Sequence, residues 1–275
     1  MYNKKIKSVF FGTPEISVHF LEKLKKNNFL FDLIITNPDR PTGRKKILTS
    51  SPVKIWAEKN NIEVLNPEKL DEKIIDKIKS YDLFFVLAYG KILKKEILDL
   101  PKMGVWNLHP SLLPKYRGPS PIMSAILDDQ KKTGISLMLL DEKMDHGPIL
   151  SQQKIIVQEW KKNFEMEKEF SEIGAEIFLK TIKKFQEGEI FPKEQNHNKA
   201  TFCKKYEKSD MELEFPFSKN NTRKNFLKYL AFPKPFFIKE KKRYVVTNGI
   251  WNIDKKEFEI KKVIPEGKKG QDWKN

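Results

Sequence analysis

Residues 6–12 read IKSVFFG, an apolar run that ends in glycine and leads, from Glu15 to Lys26, into an amphipathic helical pattern. A run without polar alternation, rich in β-branched and aromatic residues, suits a strand covered on both faces. The same texture recurs in FDLIIT (31–36), IEVLN (62–66), DLFFVLA (82–88) and GVWNLH (104–109). Helical patterns at 53–60, 67–79 and 92–98 separate these runs, and Pro52 and Pro67 stand where a helix accepts a first-turn proline. The alternation predicts an α/β fold on a doubly wound, mostly parallel, Rossmann-like sheet. GISLMLLD (134–141) and PILSQQKIIV (148–157) extend it, the last as an antiparallel edge strand, and a long amphipathic helix is predicted at 164–187.

Beyond residue 188 the texture changes. FPKEQNHNKATFCKKYEKSDM (191–211) is polar and irregular, so a catalytic domain is predicted over 1–190, a linker over 191–205 and a small basic domain over 206–275. In that last part a helical pattern at 221–231 precedes the short alternating runs FFIKE, RYVVTN, IWNID and EFEIKKVI. Asn248-Gly249 between two of them is a hairpin-turn signal.

With 275 residues and 39% hydrophobic content, the chain can bury a substantial core. No run of about 18 apolar residues suggests a membrane helix, and MYNKKIKSVFFG lacks the apolar region of a signal peptide. The single Cys203 forms no intrachain disulfide, which fits a reducing compartment, so a soluble cytoplasmic protein is expected. The net charge of +16 comes almost wholly from lysine, since only five residues are Arg. On composition alone it fits either lysines scattered over a solvated surface or a polyanionic partner. Its distribution sharpens the choice: residues 1–197 carry 33 basic and 27 acidic side chains, residues 198–275 carry 20 and 10. The shorter segment holds most of the excess, as expected of a module that meets phosphates.

In an open α/β sheet, ligands settle beyond the carboxyl ends of the strands. Asn107 and His109 stand at such an end and, two residues apart, share a face. Pro110 and Pro114 bracket the loop that follows, and Asp145 lies just beyond the next predicted strand. An amide, an imidazole and a carboxylate together suit acyl transfer: Asn107 and His109 donate to a developing oxyanion, and Asp145 orients the His and assists proton removal. No Ser or Cys neighbours the His as a nucleophile, so direct attack by an amine is the expected chemistry. FFGTPE lacks dinucleotide-binding spacing, no phosphate-binding Gly-Lys-Ser/Thr loop is present, and no His/Cys spacing implies a metal. His146, beside Asp145, is read as a loop residue. The segment 36–54 delays the next helix and carries Arg40, Arg44, Lys45 and Lys46, reading as either a solvated loop or a clamp for a phosphate-bearing substrate.

Together VFFGTPEISV, NPDRPTGR, SPVK, VLAYGKIL, NLHPSLLPKYRGPSPIMSAIL, TGISLMLLDEKMDHGPIL and PEGKKG, running in order from residue 9 to 270, resemble the methionyl-tRNA formyltransferases. The resemblance implies a formyltransferase fold, 10-formyltetrahydrofolate as donor without a metal, and methionylated initiator tRNA as acceptor. It makes Asn107, His109 and Asp145 the catalytic trio. It places Ser111, Leu112, Leu113 and Pro114 along the folate site, and assigns the pterin to the backbone around Tyr89, Ile92 and Leu93 and to the loop from Asp141 to Asp145. PDRPTGR corresponds to the loop that grips the tRNA acceptor end. A monomer without membrane attachment is expected.

This chain departs from the family pattern at three places. Trp106 replaces a smaller aliphatic residue, RGPSPI replaces RGAAPI, and residues 206–275 are shorter than the family's oligonucleotide-binding (OB) barrel, implying a truncated OB-like module. That shortening keeps a rival in view, N-formyl transfer to a nucleotide-linked amino sugar, against which PDRPTGR argues. Hydrolytic release of formate leaves the long basic loop unexplained, and an RNA-binding protein without catalysis leaves the intact trio unexplained.

Overall fold

A computed structural model describes residues 6–43 and 45–273. Along the chain run β1 (Ser8–Gly12), α1 (Glu15–Lys26), β2 (Leu33–Ile35), β3 (Arg40–Thr42), β4 (Ile47–Thr49), α2 (Pro52–Lys59) and β5 (Glu63–Leu65). They are followed by α3 (Glu72–Ile78), β6 (Leu83–Leu87), α4 (Lys95–Leu98), β7 (Val105–His109), α5 (Pro121–Leu127), β8 (Lys132–Leu139), β9 (Ile149–Ile156) and α6 (Asn163–Gln186). The last part holds α7 (Thr222–Ala231), β10 (Phe236–Lys239), β11 (Lys242–Asn252), β12 (Glu257–Pro265) and β13 (Gln271–Asp272).

The chain divides into two compact units: one runs to Arg117 and adds Gly134–Lys154 and Glu167–Thr201, the other comprises Gly118–Thr133, Ile155–Met166 and the chain from Phe202. The first is built on a seven-stranded sheet in the order β5-β2-β1-β6-β7-β8-β9. Its strands β5, β2, β1, β6 and β7 are parallel, as their unbroken apolar runs predict. The antiparallel switch falls one strand earlier than expected, since β8 already runs against β7, pairing Ser136 with His109. Glu63 of β5 is exposed because that strand is an edge of the sheet.

Alternation along the central strands sorts their side chains onto two faces. Phe10, Phe85 and Trp106 lie on one, where Phe20 of α1 and Phe178 of α6 pack on them as stacked and edge-to-face rings. Val9, Phe11, Phe84, Val86 and Val105 form the other, covered by Ile78 of α3 and Ile97 of α4. Each such side chain contributes about 1.5–3 kcal/mol by leaving water. Asn107 continues the second row beside Val86.

Helix starts follow local chemistry. Ser51 caps α2 by accepting from the Lys54 amide at 3.0 Å, with Pro52 in the first turn as predicted. Pro67 does not play that part, because α3 begins at Glu72, where the Asp71 carboxylate accepts from the Ile74 amide. The segment 36–54, expected as a loop, contains an exposed two-stranded ribbon of β3 against β4.

In the second unit α5 packs against α7, and β10 to β13 form an antiparallel sheet in chain order. Glu240 and Lys241, both at positive φ, make the two-residue turn between β10 and β11. Asn248-Gly249 is not a turn. It lies inside β11 at a register shift, and a Cβ on Gly249 would come 2.5 Å from the Phe258 ring. The missing side chain therefore admits an aromatic ring at a bulge.

Candidate active site

β6 and β7 end side by side, and their following loops supply most of the predicted site. Asn107 and His109 are 9% and 4% exposed, on the sheet face that Val86 shares. Trp106 points to the opposite face, where it packs on Phe178 and Phe185 and donates from Nε1 to the Met103 carbonyl. It therefore fills core under α6 instead of flanking the site.

His109 is held at both nitrogens. Its Nε2 lies 2.8 Å from the Tyr116 carbonyl, which can only accept, so the proton is on Nε2. Its Nδ1 faces Asp145 Oδ2 at 3.6 Å, within ion-pair reach and longer than a hydrogen bond. Asp145 reaches this position at φ +48, and Tyr116 presents its carbonyl at φ +58. Left-handed backbone costs a side-chain-bearing residue about 1–2 kcal/mol, so surrounding contacts must hold both residues there.

The loop after β7 is bonded throughout. Ser111 is buried, its amide donating to the His109 carbonyl at 2.8 Å and its hydroxyl to the Lys115 carbonyl at 2.6 Å. Ser136 on β8 donates to the Ser111 carbonyl and accepts from the Leu113 amide, and Gln152 donates to the Leu113 carbonyl. Leu113 is buried, while Leu112 and Pro114 are half-buried. Ser136 and Gln152 carried no sequence signal, because each sits mid-strand among ordinary strand residues.

The loop after β6 has a different character. Ala88 and Gly90 adopt positive φ, Leu93 is buried, and Ile92 is 90% exposed. The Tyr89 carbonyl accepts from Thr13 and from Asn37, whereas its buried hydroxyl has no partner among the described residues and its pKa is pushed up to about 12 by burial. After β8, Asp141 accepts from the Lys143 amide at 2.9 Å and from His146 Nδ1 at 2.6 Å. His146 thus closes the loop that delivers Asp145. Next to it lies a group that no sequence motif marks: Arg117, Gln195 and His197, with the His197 ring stacked 4.0 Å from that of His146.

The predicted tRNA residues are not drawn into this cluster. Arg40 is on β3, paired with Glu68 at 2.7 Å on the surface, and Lys45 and Lys46 are exposed between β3 and β4. Arg44 lies outside the described residues. Among the described residues no group of three His, Cys, Asp or Glu side chains could hold a metal, and no helix is long and apolar enough to cross a membrane.

Two donors and a carboxylate at the strand ends of such a sheet suit a transferase that passes an acyl group directly between bound substrates. A family profile for formyl transferases matches residues 4–182, well over half of the chain. Methionyl-tRNA formyltransferases of Thermotoga maritima and Halalkalibacterium halodurans are 37% and 40% identical over 210 and 213 residues, covering 75% and 76% of this chain and 67% of each relative. The Bacillus cereus enzyme of that name is 42% identical over 72% of this chain and 64% of its own length. The chain belongs to the methionyl-tRNA formyltransferases.

Solved structures agree on the fold. An N-formyltransferase from Helicobacter canadensis, in complex with folinic acid and dTDP-3-aminofucose, superposes with a TM-score of 0.61 at 22% identity over 88% of both chains. The phosphoribosylglycinamide formyltransferase of Bacillus halodurans gives 0.53 at 20% identity, over 65% of this chain and 94% of its own.

Proposed function

We infer that the protein transfers the formyl group of 10-formyltetrahydrofolate to the α-amine of methionine esterified to initiator tRNA. The observation that carries the mechanism is the state of His109: Nε2 is spent on a backbone carbonyl, and Nδ1 faces Asp145 beside Asn107. Only Nδ1 is left to act on a substrate. Carrying a proton there makes the ring an imidazolium, and the Asp145 carboxylate balances that charge. Nδ1–H and the Asn107 amide then donate to the formyl oxygen as it gains negative charge. The methionine amine attacks the formyl carbon, its proton passes by way of Asp145 to the departing folate nitrogen, and the old carbon–nitrogen bond breaks. Catalytic hydrogen bonds of this kind shorten when substrate fills the site, which accommodates the 3.6 Å separation.

The chain's residues fit the donor. Exposed Ile92, next to buried Leu93 on the loop after β6, offers an apolar surface to a flat heterocycle. The loop from Asp141 to Asp145 and the SLLP segment at 111–114 complete its surroundings. Arg40, Arg44, Lys45 and Lys46 are proposed to meet tRNA phosphates, together with the lysine-rich domain from residue 206, which follows the catalytic domain and the 191–205 connection. The protein is read as a cytoplasmic monomer.

A competition experiment tests the assignment. Formyl donor is offered with methionylated initiator tRNA or with a nucleotide-linked amino sugar, and formylated product is measured. Formyl-methionyl-tRNA is expected. Formylation of the sugar alone would establish the rival acceptor and leave the chemistry intact.

A further inference from the structure

The segment 191–205, expected as a linker, is tied into the first unit as far as Thr201, and its bonds converge on the two residues that hold His109. We propose that residues 195–201 form a positioning brace for the catalytic pair, with Gln195 setting Asp145 and Thr201 setting the Tyr116 carbonyl. The proposal rests on the reading of His109 and Asp145 as catalytic.

Gln195 is 5% exposed, and its amide orientation is chemically determined. Its Oε1 accepts from Arg117 Nε at 3.2 Å and Nη2 at 2.7 Å, and a guanidinium can only donate. The Nε2 end must therefore face the other way, where it donates to the carbonyls of Asp145 at 2.9 Å and Gly147 at 2.7 Å. Two bonds thus grip the backbone on either side of His146 and hold Asp145 in its left-handed conformation. Gly147 leaves no space for a side chain, since a Cβ there would meet the Leu139 carbonyl oxygen at 2.1 Å, so the second gripped carbonyl belongs to a glycine packed directly on β8.

At the other end of the segment Thr201 grips the loop after β7. Its hydroxyl accepts from the Tyr116 amide at 2.9 Å, its carbonyl accepts from the Arg117 amide at 2.9 Å, and its amide donates to the Pro114 carbonyl at 3.2 Å. Arg117 links the two ends, because its guanidinium serves Gln195 while its backbone pairs with Thr201. Arg117 Nη2 also donates to His197 Nδ1 at 2.8 Å, which requires that nitrogen to be unprotonated. Burial, with His146 and Arg117 nearby, holds the His197 pKa below its usual value, in keeping with that requirement. One short segment therefore fixes both the base that faces Nδ1 and the carbonyl that occupies Nε2. A shift of about 1 Å in such a pair costs on the order of 100-fold in rate.

Gln195→Glu separates positioning from folding, since a carboxylate still accepts from Arg117 but cannot donate to the two loop carbonyls. Its kcat should fall roughly 10- to 100-fold, with KM for formyl donor and methionyl-tRNA within about 3-fold of the parent and the acid limb of the kcat–pH profile displaced. Native kcat with an unmoved pH profile would overturn the brace. Where Gln195→Glu does not fold, Thr201→Val carries the test: it removes only the hydroxyl bond to Tyr116, so a lower kcat at unchanged KM supports the proposal and native kcat sinks it. Asp145→Asn is measured alongside. If it is inactive while both brace variants are native, the catalytic reading stands and the brace fails; if it retains native kcat, both fall.

Discussion

Two proline-containing segments that follow strands of the same sheet meet opposite fates. Residues 107–117 are bonded at almost every turn: Ser111 and Arg117 are buried and hydrogen-bonded to named partners, and His109 is buried with Nε2 bound and Nδ1 left facing Asp145. Residues 40–43 and 45–49 stand out as an exposed ribbon whose Ile47 and Leu48 face solvent and whose Arg40 pairs with a surface carboxylate, that of Glu68. The first is built by its own hydrogen bonds, as the proposed stabilisation of charge at one atom requires. At the root of the second, Asp39 accepts from Lys54, Ser50 and Asn66. Exposure of this kind suits the proposed meeting with tRNA phosphates.

The largest expected break lies in the rigid segment. Asn107→Ala should lower turnover roughly 100-fold or more, about 3–4 kcal/mol of barrier, with little change in affinity for the formyl donor. Steady-state kinetics with near-native kcat would remove Asn107 from the mechanism. In the exposed ribbon, replacing Arg40, Lys45 and Lys46 together by Ala should leave kcat unchanged and raise KM for tRNA. The slope of log affinity against log salt should shrink by about 1 for every phosphate that is no longer neutralised; an unchanged slope would mean that the ribbon meets no phosphates.

Smaller effects sharpen the contrast. Asp39→Ala should loosen the ribbon's root, raising KM for tRNA a few-fold while sparing kcat. The hydrogen bond from Lys54 holds the Asp39 carboxyl below its usual pKa. Its contribution is therefore present above the unfolded value of about 3.9 and lost as pH falls through the lower folded one. Tether strength should accordingly be flat at neutral pH, as checked by tRNA KM between about pH 6 and pH 8. Tyr89 has the opposite sign: with its pKa raised by burial, the stability it contributes is complete below about pH 10 and disappears as pH rises towards about 12. Tyr89→Phe should leave neutral stability within about 1 kcal/mol and flatten the alkaline loss seen in thermal melts. A steeper loss would contradict a partnerless hydroxyl.

Sequence patterns of short range were readable throughout. Unbroken apolar runs gave the parallel core strands, and Ser51-Pro52 gave a helix start, because each rests on a period or a cap spanning a few residues. Local signals misled where a distant group supplied the reason. Asn248-Gly249 has the chemistry of a turn but serves a bulge beneath Phe258, and Pro67 precedes an extended stretch before the cap at Asp71. Trp106, which departs from the family pattern beside Asn107, is sent to the other face by the strand's two-residue period.

What the chain alone determined is the pairing of Asn107 with His109 on one face of a strand end, since that follows from backbone geometry over three residues. Folding decided which ring nitrogen is free and what holds Asp145. Those outcomes depend on Tyr116, seven residues from His109, and on Gln195, fifty residues from Asp145. A hydrogen bond acts over about 3 Å whatever the separation along the chain, so a partner that far away leaves no periodic trace for the sequence to show.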